Sequence, residues 1–175
     1  MRPFVAAVLA LVLCESGPGS FARQAGQSGS VVRSSRLTIQ TFDGKTLSLS
    51  ADDLALLPHK SIVVFNAHSG RSETYSGVPL GDLLVKVDVP LGAQLKGKLF
   101  LIGILAGGTD GYEVLYSLAE VDPGLHAGDV IVADALDGQK LGNEGAFKIV
   151  STEDHRPARW VRNLSTISVI QVKLP

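Results

Sequence analysis

The stretch Arg36-Leu37-Thr38-Ile39-Gln40-Thr41-Phe42-Asp43-Gly44-Lys45-Thr46-Leu47-Ser48-Leu49 reads as two short strands around a tight turn. Leu37 and Ile39 alternate with polar neighbours, Leu47 and Leu49 do the same, and Asp43-Gly44 between them favours chain reversal. Directly downstream, Ser50 and Asp53 have the spacing of a capping box, which predicts a short helix through Leu57, stopped by Pro58. Residues 62–65 are an apolar, β-branched run suited to a buried strand, and residues 66–70 a loop. Pro79 opens a second short helix over residues 81–85, since proline is tolerated in a first turn. Further strands are expected at residues 99–105, 112–116, 130–133, 147–150 and 167–172, with turns at Asp110-Gly111 and Asp137-Gly138. Many short strands with two or three short helices predict an α+β class, an irregular, mainly β domain with short helices. No internal repeat is present.

The N-terminus reads differently. Arg2, an apolar run over residues 4–13, and then Glu15, Ser16, Gly17 and Pro18 have the layout of a secretory signal peptide. The run is too short to span a bilayer, which takes about 20 apolar residues. Ser20 and Ala22 suit cleavage after Ala22. A lipidated Cys14 is the alternative, disfavoured by Leu13 before it. The expected organisation is a signal peptide over residues 1–22, a Gln-, Gly- and Ser-rich tether over 23–30, and one domain over 31–175, with a periplasmic or secreted location. No membrane span is expected after signal cleavage.

Composition excludes several functions. The net charge is −1 and the basic residues are scattered, so no nucleic-acid footprint is expected. The single cysteine, Cys14, lies in the signal region, which rules out a disulfide framework and a Cys-ligated metal in the domain. His59, His68, His126 and His155 fall in separate segments without ligand spacing, so no protein-built metal site is expected. The run Gly107-Gly108-Thr109-Asp110-Gly111 lacks the lysine and following helix of a phosphate loop and reads as a turn. Asp110 and Glu113 are candidates to face one pocket, and nothing marks a Ser, His and Asp catalytic set.

Several segments, in order, carry a family likeness. After the hairpin come Leu54 and Leu57-Pro58-His59, then Tyr75-Ser76-Gly77-Val78-Pro79-Leu80-Gly81-Asp82-Leu83-Leu84, then Asp110-Gly111-Tyr112 with Tyr116-Ser117-Leu118. Asp129-Val130-Ile131-Val132-Ala133, Asp137-Gly138-Gln139-Lys140-Leu141 and Arg156-Pro157-Ala158-Arg159-Trp160-Val161 follow. Together they resemble the molybdopterin-binding domain of the sulfite oxidase type of oxidoreductase, in a small free-standing form. The resemblance implies a pterin cofactor whose molybdenum is also held by one protein cysteine, in the loop after the strand at residues 62–65. That loop here is Asn66-Ala67-His68-Ser69-Gly70, without cysteine. The resemblance also implies that such enzymes load their cofactor before crossing the membrane on a twin-arginine signal, whereas here Arg2 is followed by Pro3.

By the same resemblance, Arg156 and Arg159 match basic positions that approach the pterin and its phosphate; Trp160 is a candidate to cover an apolar or aromatic ligand face. Guanidinium suits that role because its planar fork donates parallel hydrogen bonds to phosphate or carboxylate. The competing reading has Trp160 filling the core and Arg156, Arg159 and Arg162 pairing with Glu153 and Asp154. His68 and Tyr112 complete the candidate binding set. No bound cofactor is expected, molybdopterin being the one the family implies. Three functions are weighed: a non-catalytic binding module for a small anionic or pterin-like ligand or a protein partner, a molybdenum cofactor-dependent oxidoreductase, and a structural or interaction domain without ligand.

Overall fold

Alternation along the first strands buries one face of a hairpin. In the computed structural model, which describes residues 34–173, β1 (Arg36–Thr41) pairs antiparallel with β2 (Thr46–Ser50), and Leu37 stands opposite Leu49. The expected signal peptide and tether, residues 1–22 and 23–30, lie outside the described residues. Ser50 caps α1 (Ala51–Ala55): its Oγ accepts from the Asp53 backbone N–H, and the Asp53 carboxylate accepts from the Ser50 N–H. The helix buries only Leu54.

The chain continues through β3 (Lys60–Asn66), β4 (Arg71–Pro79) and α2 (Leu80–Val85), then β5 (Ile102–Gly108) and β6 (Glu113–Ser117). It closes with β7 (Val130–Leu136), β8 (Gln139–Lys140), β9 (Lys148–Ser151) and β10 (Leu164–Gln171). One five-stranded sheet runs β2-β1-β10-β5-β6; the other runs β3-β4-β7-β8, with β9 also paired to β7. β1 and β10 pair in parallel, so the two ends of the domain lie side by side in one sheet.

The α+β class expected from the sequence does not hold: the domain is mainly β. The helices α1 and α2 have five and six residues, and the other helical segments are 3-10 turns such as Leu118–Val121 and Pro157–Arg159. A cap or a leading proline starts a helix, but a helix of one or two turns cannot form a layer of its own; here tertiary packing sustains each short turn. The strand expected from residue 99 begins at Ile102, after the 3-10 turn Gly97–Leu101. Among the described residues no helix is long and apolar enough to cross a membrane.

Two cores result. Leu37 and Ile39 of β1, Ile104 of β5 and Ile167 of β10 share the larger one with Leu80, Leu83 and Leu84 of α2 and Val130 and Val132 of β7. Ile131 and Ala133, on the opposite face of β7 by the two-residue period of a strand, join Ile62, Val64, Tyr75, Leu141, Val150 and Trp160 in the smaller one. Gly77 makes the close approach of β4 to β7 possible: a Cβ there would fall on Val132 O and Ala133 Cα, beside the register shift between Ser76 and Gly77. The smaller core is where the polar groups gather.

Candidate functional site

Lys148 opens β9 just before Ile149 and Val150, and the strand period puts it on the same face as Val150, against the smaller core. Its side chain cannot reach water there, since the residue is 2% exposed. A buried ammonium has to be paired. Lys148 Nζ donates to Glu144 Oε1 and Oε2 at 2.7 and 2.9 Å and to Tyr75 Oη at 2.8 Å. Tyr75 Oη in turn donates to Glu73 Oε2 at 2.8 Å.

Glu73, 4% exposed, is the anionic end of this chain of bonds. Asn66 Nδ2 donates to its Oε2 at 2.8 Å and Ser69 Oγ to its Oε1 at 2.7 Å. Burial disfavours the Glu73 charge, but the bonds from Asn66, Ser69 and Tyr75 and the nearby Lys148 outweigh it and hold the carboxyl below its ordinary range. Burial pushes the Lys148 ammonium down, against the support of Glu144 and Glu73. Burial, with Glu73 next in importance, pushes the Tyr75 phenol well up, so it stays a neutral donor between two charges.

Trp160 closes the cluster. Its ring meets Tyr75 edge-on at 5.8 Å between centroids, and Lys148 Nζ stands 5.3 Å from the indole and 4.7 Å from the Tyr75 ring. Trp160 is 4% exposed, and its Nε1 has no hydrogen-bond partner among the described residues. A buried donor left unpaired costs free energy.

This cluster floors a pocket of about 330 Å³ walled by Asn66, His68, Asp110, Tyr112, Glu144 and Arg162, with Pro157 and Ala158 at one side. That volume is at the lower end of the range for small-molecule sites. Tyr112 Oη donates to the Ala158 carbonyl and ties the loop after β5 to the segment before Trp160. Arg162 is exposed and makes no ion pair among the described residues, so its guanidinium is the available cation of the pocket.

The structure therefore brings His68, Tyr112 and Trp160 to one pocket. Arg159 and Arg156 do not line it. Arg159 Nε and Nη2 donate to Asp154 Oδ1 at 3.0 and 2.6 Å, Nη1 donates to Glu120 Oε1 at 2.8 Å, and the guanidinium lies 4.6 Å over the Tyr116 ring. Tyr116 Oη donates to the Arg159 carbonyl at 2.6 Å, so this residue clamps the segment that carries Trp160. Arg156 is exposed just before the 3-10 turn Pro157–Arg159.

Sequence reading missed Lys148, Glu144, Glu73 and the role of Arg162. The one local signal for Lys148 is a lysine inside the apolar run Phe147-Lys148-Ile149-Val150.

No protein-family model matches the chain, and no curated protein matches it. Among solved structures, the crystal structure of the sulfane dehydrogenase SoxCD from Paracoccus pantotrophus is similar, with a TM-score of 0.58 at 19% identity. The likeness covers 77% of this chain and 37% of that one, so the chain spans little more than a third of that protein. At this identity it is the fold that is shared.

The resemblance in sequence implies a metal ligand in the loop after β3, and the residues present do not fit one. Asn66, at the end of β3, has its amide engaged at both ends: Nδ2 donates to Glu73 and Oδ1 accepts from the His68 backbone N–H at 2.9 Å. His68 offers one imidazole, and among the described residues no three His, Cys, Asp or Glu side chains converge. An amide and a lone imidazole do not replace a thiolate's soft, strongly donating sulfur.

Proposed function

We propose that the chain is an exported binding module that holds a small organic anion with a planar, pterin-like ring in the pocket beside Trp160, and that it does so without a metal. The observation that carries this reading is the pairing of a loop after β3 that offers no thiolate, its Asn66 amide engaged at both ends, with an adjoining pocket lined by Trp160 and by Arg162, a guanidinium without an ion pair among the described residues. A flat ligand lies against Trp160 and Tyr112, and its anionic group meets Arg162 through charge-assisted hydrogen bonds. The reading of residues 1–22 as a signal peptide supports a location outside the cytoplasm.

Trp160 is the only tryptophan, so its emission reports on the pocket directly. Titrating the purified protein with 6-carboxypterin, followed by Trp160 fluorescence and by calorimetry, gives saturable one-to-one binding on this reading. Arg162→Ala weakens that binding by about tenfold, the worth of a charge-assisted hydrogen bond. No saturation up to about 1 mM, which corresponds to only ~4 kcal/mol of binding free energy, refutes the proposal.

A second reading is a molybdenum cofactor-dependent oxidoreductase of the sulfite oxidase type, favoured by the fold shared with a dehydrogenase. It requires stoichiometric molybdenum in protein isolated from its host, and elemental analysis without molybdenum removes it.

A further inference from the structure

We propose that β3 is a docking edge for a second copy of this chain, joined antiparallel about a twofold axis through Val63. The strand ends its sheet, in the order β3-β4-β7-β8, so one side of its backbone has no partner strand among the described residues. Which groups are left open follows from β4. Thr74 stands opposite Val63; its N–H donates to Asp137 Oδ1 at 2.9 Å and its carbonyl accepts from the Asp137 N–H at 2.7 Å, both on the β7 side. Opposed residues of an antiparallel pair either exchange both backbone bonds or turn both outward. Val63 therefore points its N–H and C=O away from β4, and by the two-residue period Ser61 and Phe65 do the same.

Exposed edges are normally blunted by short strands, prolines, bulges or lysines. Among the described residues the other edge strands, β2, β6, β8 and β9, have five, five, two and four residues. β3 has seven, with no proline and an unbroken register against β4. Its one lysine, Lys60, lies at the end of the strand and is drawn to Asp129 at 2.6 Å. Val63 and Phe65 stand at the open edge, 67% and 62% exposed.

A second copy fits because β3 is its own complement. With Val63 facing Val63 across the axis, Ser61 faces Phe65 of the other copy, and each of these pairs exchanges two backbone bonds. The Phe65 ring reaches Val63 of the other copy diagonally, so the exposed apolar side chains leave water together. Lys60 falls opposite Asn66, and the two lysines stand about 20 Å apart at ~3.3 Å per residue, so no like charges meet. Each copy carries one such edge, and the pairing closes at a dimer. The strand runs into the loop with Asn66 and His68, which puts the two pockets toward opposite ends of the joint.

Because position 63 faces itself, a charge exchange there tests this arrangement and no other. Sedimentation velocity of the purified protein from about 1 μM to 1 mM shows a concentration-dependent dimer. Val63→Lys and Val63→Glu, at an exposed position and checked for folding by their melting temperatures, each set like charges opposite one another and weaken the dimer at least about tenfold. A one-to-one mixture of the two variants recovers a mixed dimer at least about tenfold tighter than either variant forms alone. A monomer throughout overturns the inference and leaves the edge to a strand of another protein. A dimer that Val63→Lys leaves intact, or one that the mixture does not recover, overturns it as well.

Discussion

Replacing Tyr75 by phenylalanine removes one oxygen and no carbon from a fully buried residue, and so isolates the bonds that link Lys148 to Glu73. Tyr75 Oη accepts from Lys148 Nζ and donates to Glu73 Oε2, each at 2.8 Å. Hydrogen bonds to charged groups contribute about 1.5–3 kcal/mol each, and leaving a buried charge short of a partner costs more than the bond itself. Glu73 keeps Asn66 and Ser69, and Lys148 keeps Glu144, so the lower figure applies to each bond. The expected loss is about 3 kcal/mol of unfolding free energy. Urea unfolding followed by Trp160 emission measures it, since that ring lies 5.8 Å from Tyr75 and is the only tryptophan. An unchanged slope with a lower midpoint shows that stability alone changed. A loss under about 1 kcal/mol refutes the claim that the phenol joins the two charges.

Four other outcomes follow from the same structure. Arg159→Ala lowers the melting temperature by freeing Asp154 and Glu120 while leaving the affinity of correctly folded protein for 6-carboxypterin within about threefold, and Arg162→Ala does the reverse; calorimetry and thermal melts on both variants separate the clamp from the ligand contact. His59 Nδ1 faces the Leu57 carbonyl and Nε2 the Asp134 carboxylate, two acceptors that only the doubly protonated ring can donate to at once; burial lowers its pKa, but those two contacts outweigh this and raise it above the ordinary 6.5. Its contribution to stability is therefore complete below that value and disappears as pH rises through the raised one, so His59→Gln flattens the pH dependence of melting on the alkaline side of 6.5. Gly77→Ala drives a Cβ into the β7 backbone and costs at least about 3 kcal/mol in urea unfolding, if the protein folds at all. Leu54→Ala, at the one buried position of α1, costs about 2–5 kcal/mol by the same assay.

The parts of the fold that were legible in the sequence are local. The β1–β2 hairpin follows from alternation around Asp43-Gly44, and the α1 cap from Ser50 and Asp53, because those patterns are completed within a few residues. The parallel pairing of β1 with β10 joins residues more than a hundred positions apart, and no local signal encodes it. The class expectation failed for a related reason: caps and prolines mark where a helix starts, while the length of α1 and α2 is limited by the sheets they pack on.

The site divides in the same way. His68, Tyr112 and Trp160 stood out as unusual side chains in loops, and they meet in one pocket. Glu73, Tyr75 and Lys148 lie on strands, where the partner across the sheet decides whether a polar group is satisfied. Lys148 is legible only once β9 is known to be buried on both faces. Arg159 and Arg162 are three residues apart and chemically alike, yet the carboxylates of Asp154 and Glu120 capture the first and leave the second free.

Native mass spectrometry of the protein isolated from its host, with elemental analysis of the same sample, tests the central claim most directly. The account predicts a complex with one small organic anion, released intact on denaturation, and no stoichiometric molybdenum. One molybdenum per chain would contradict it.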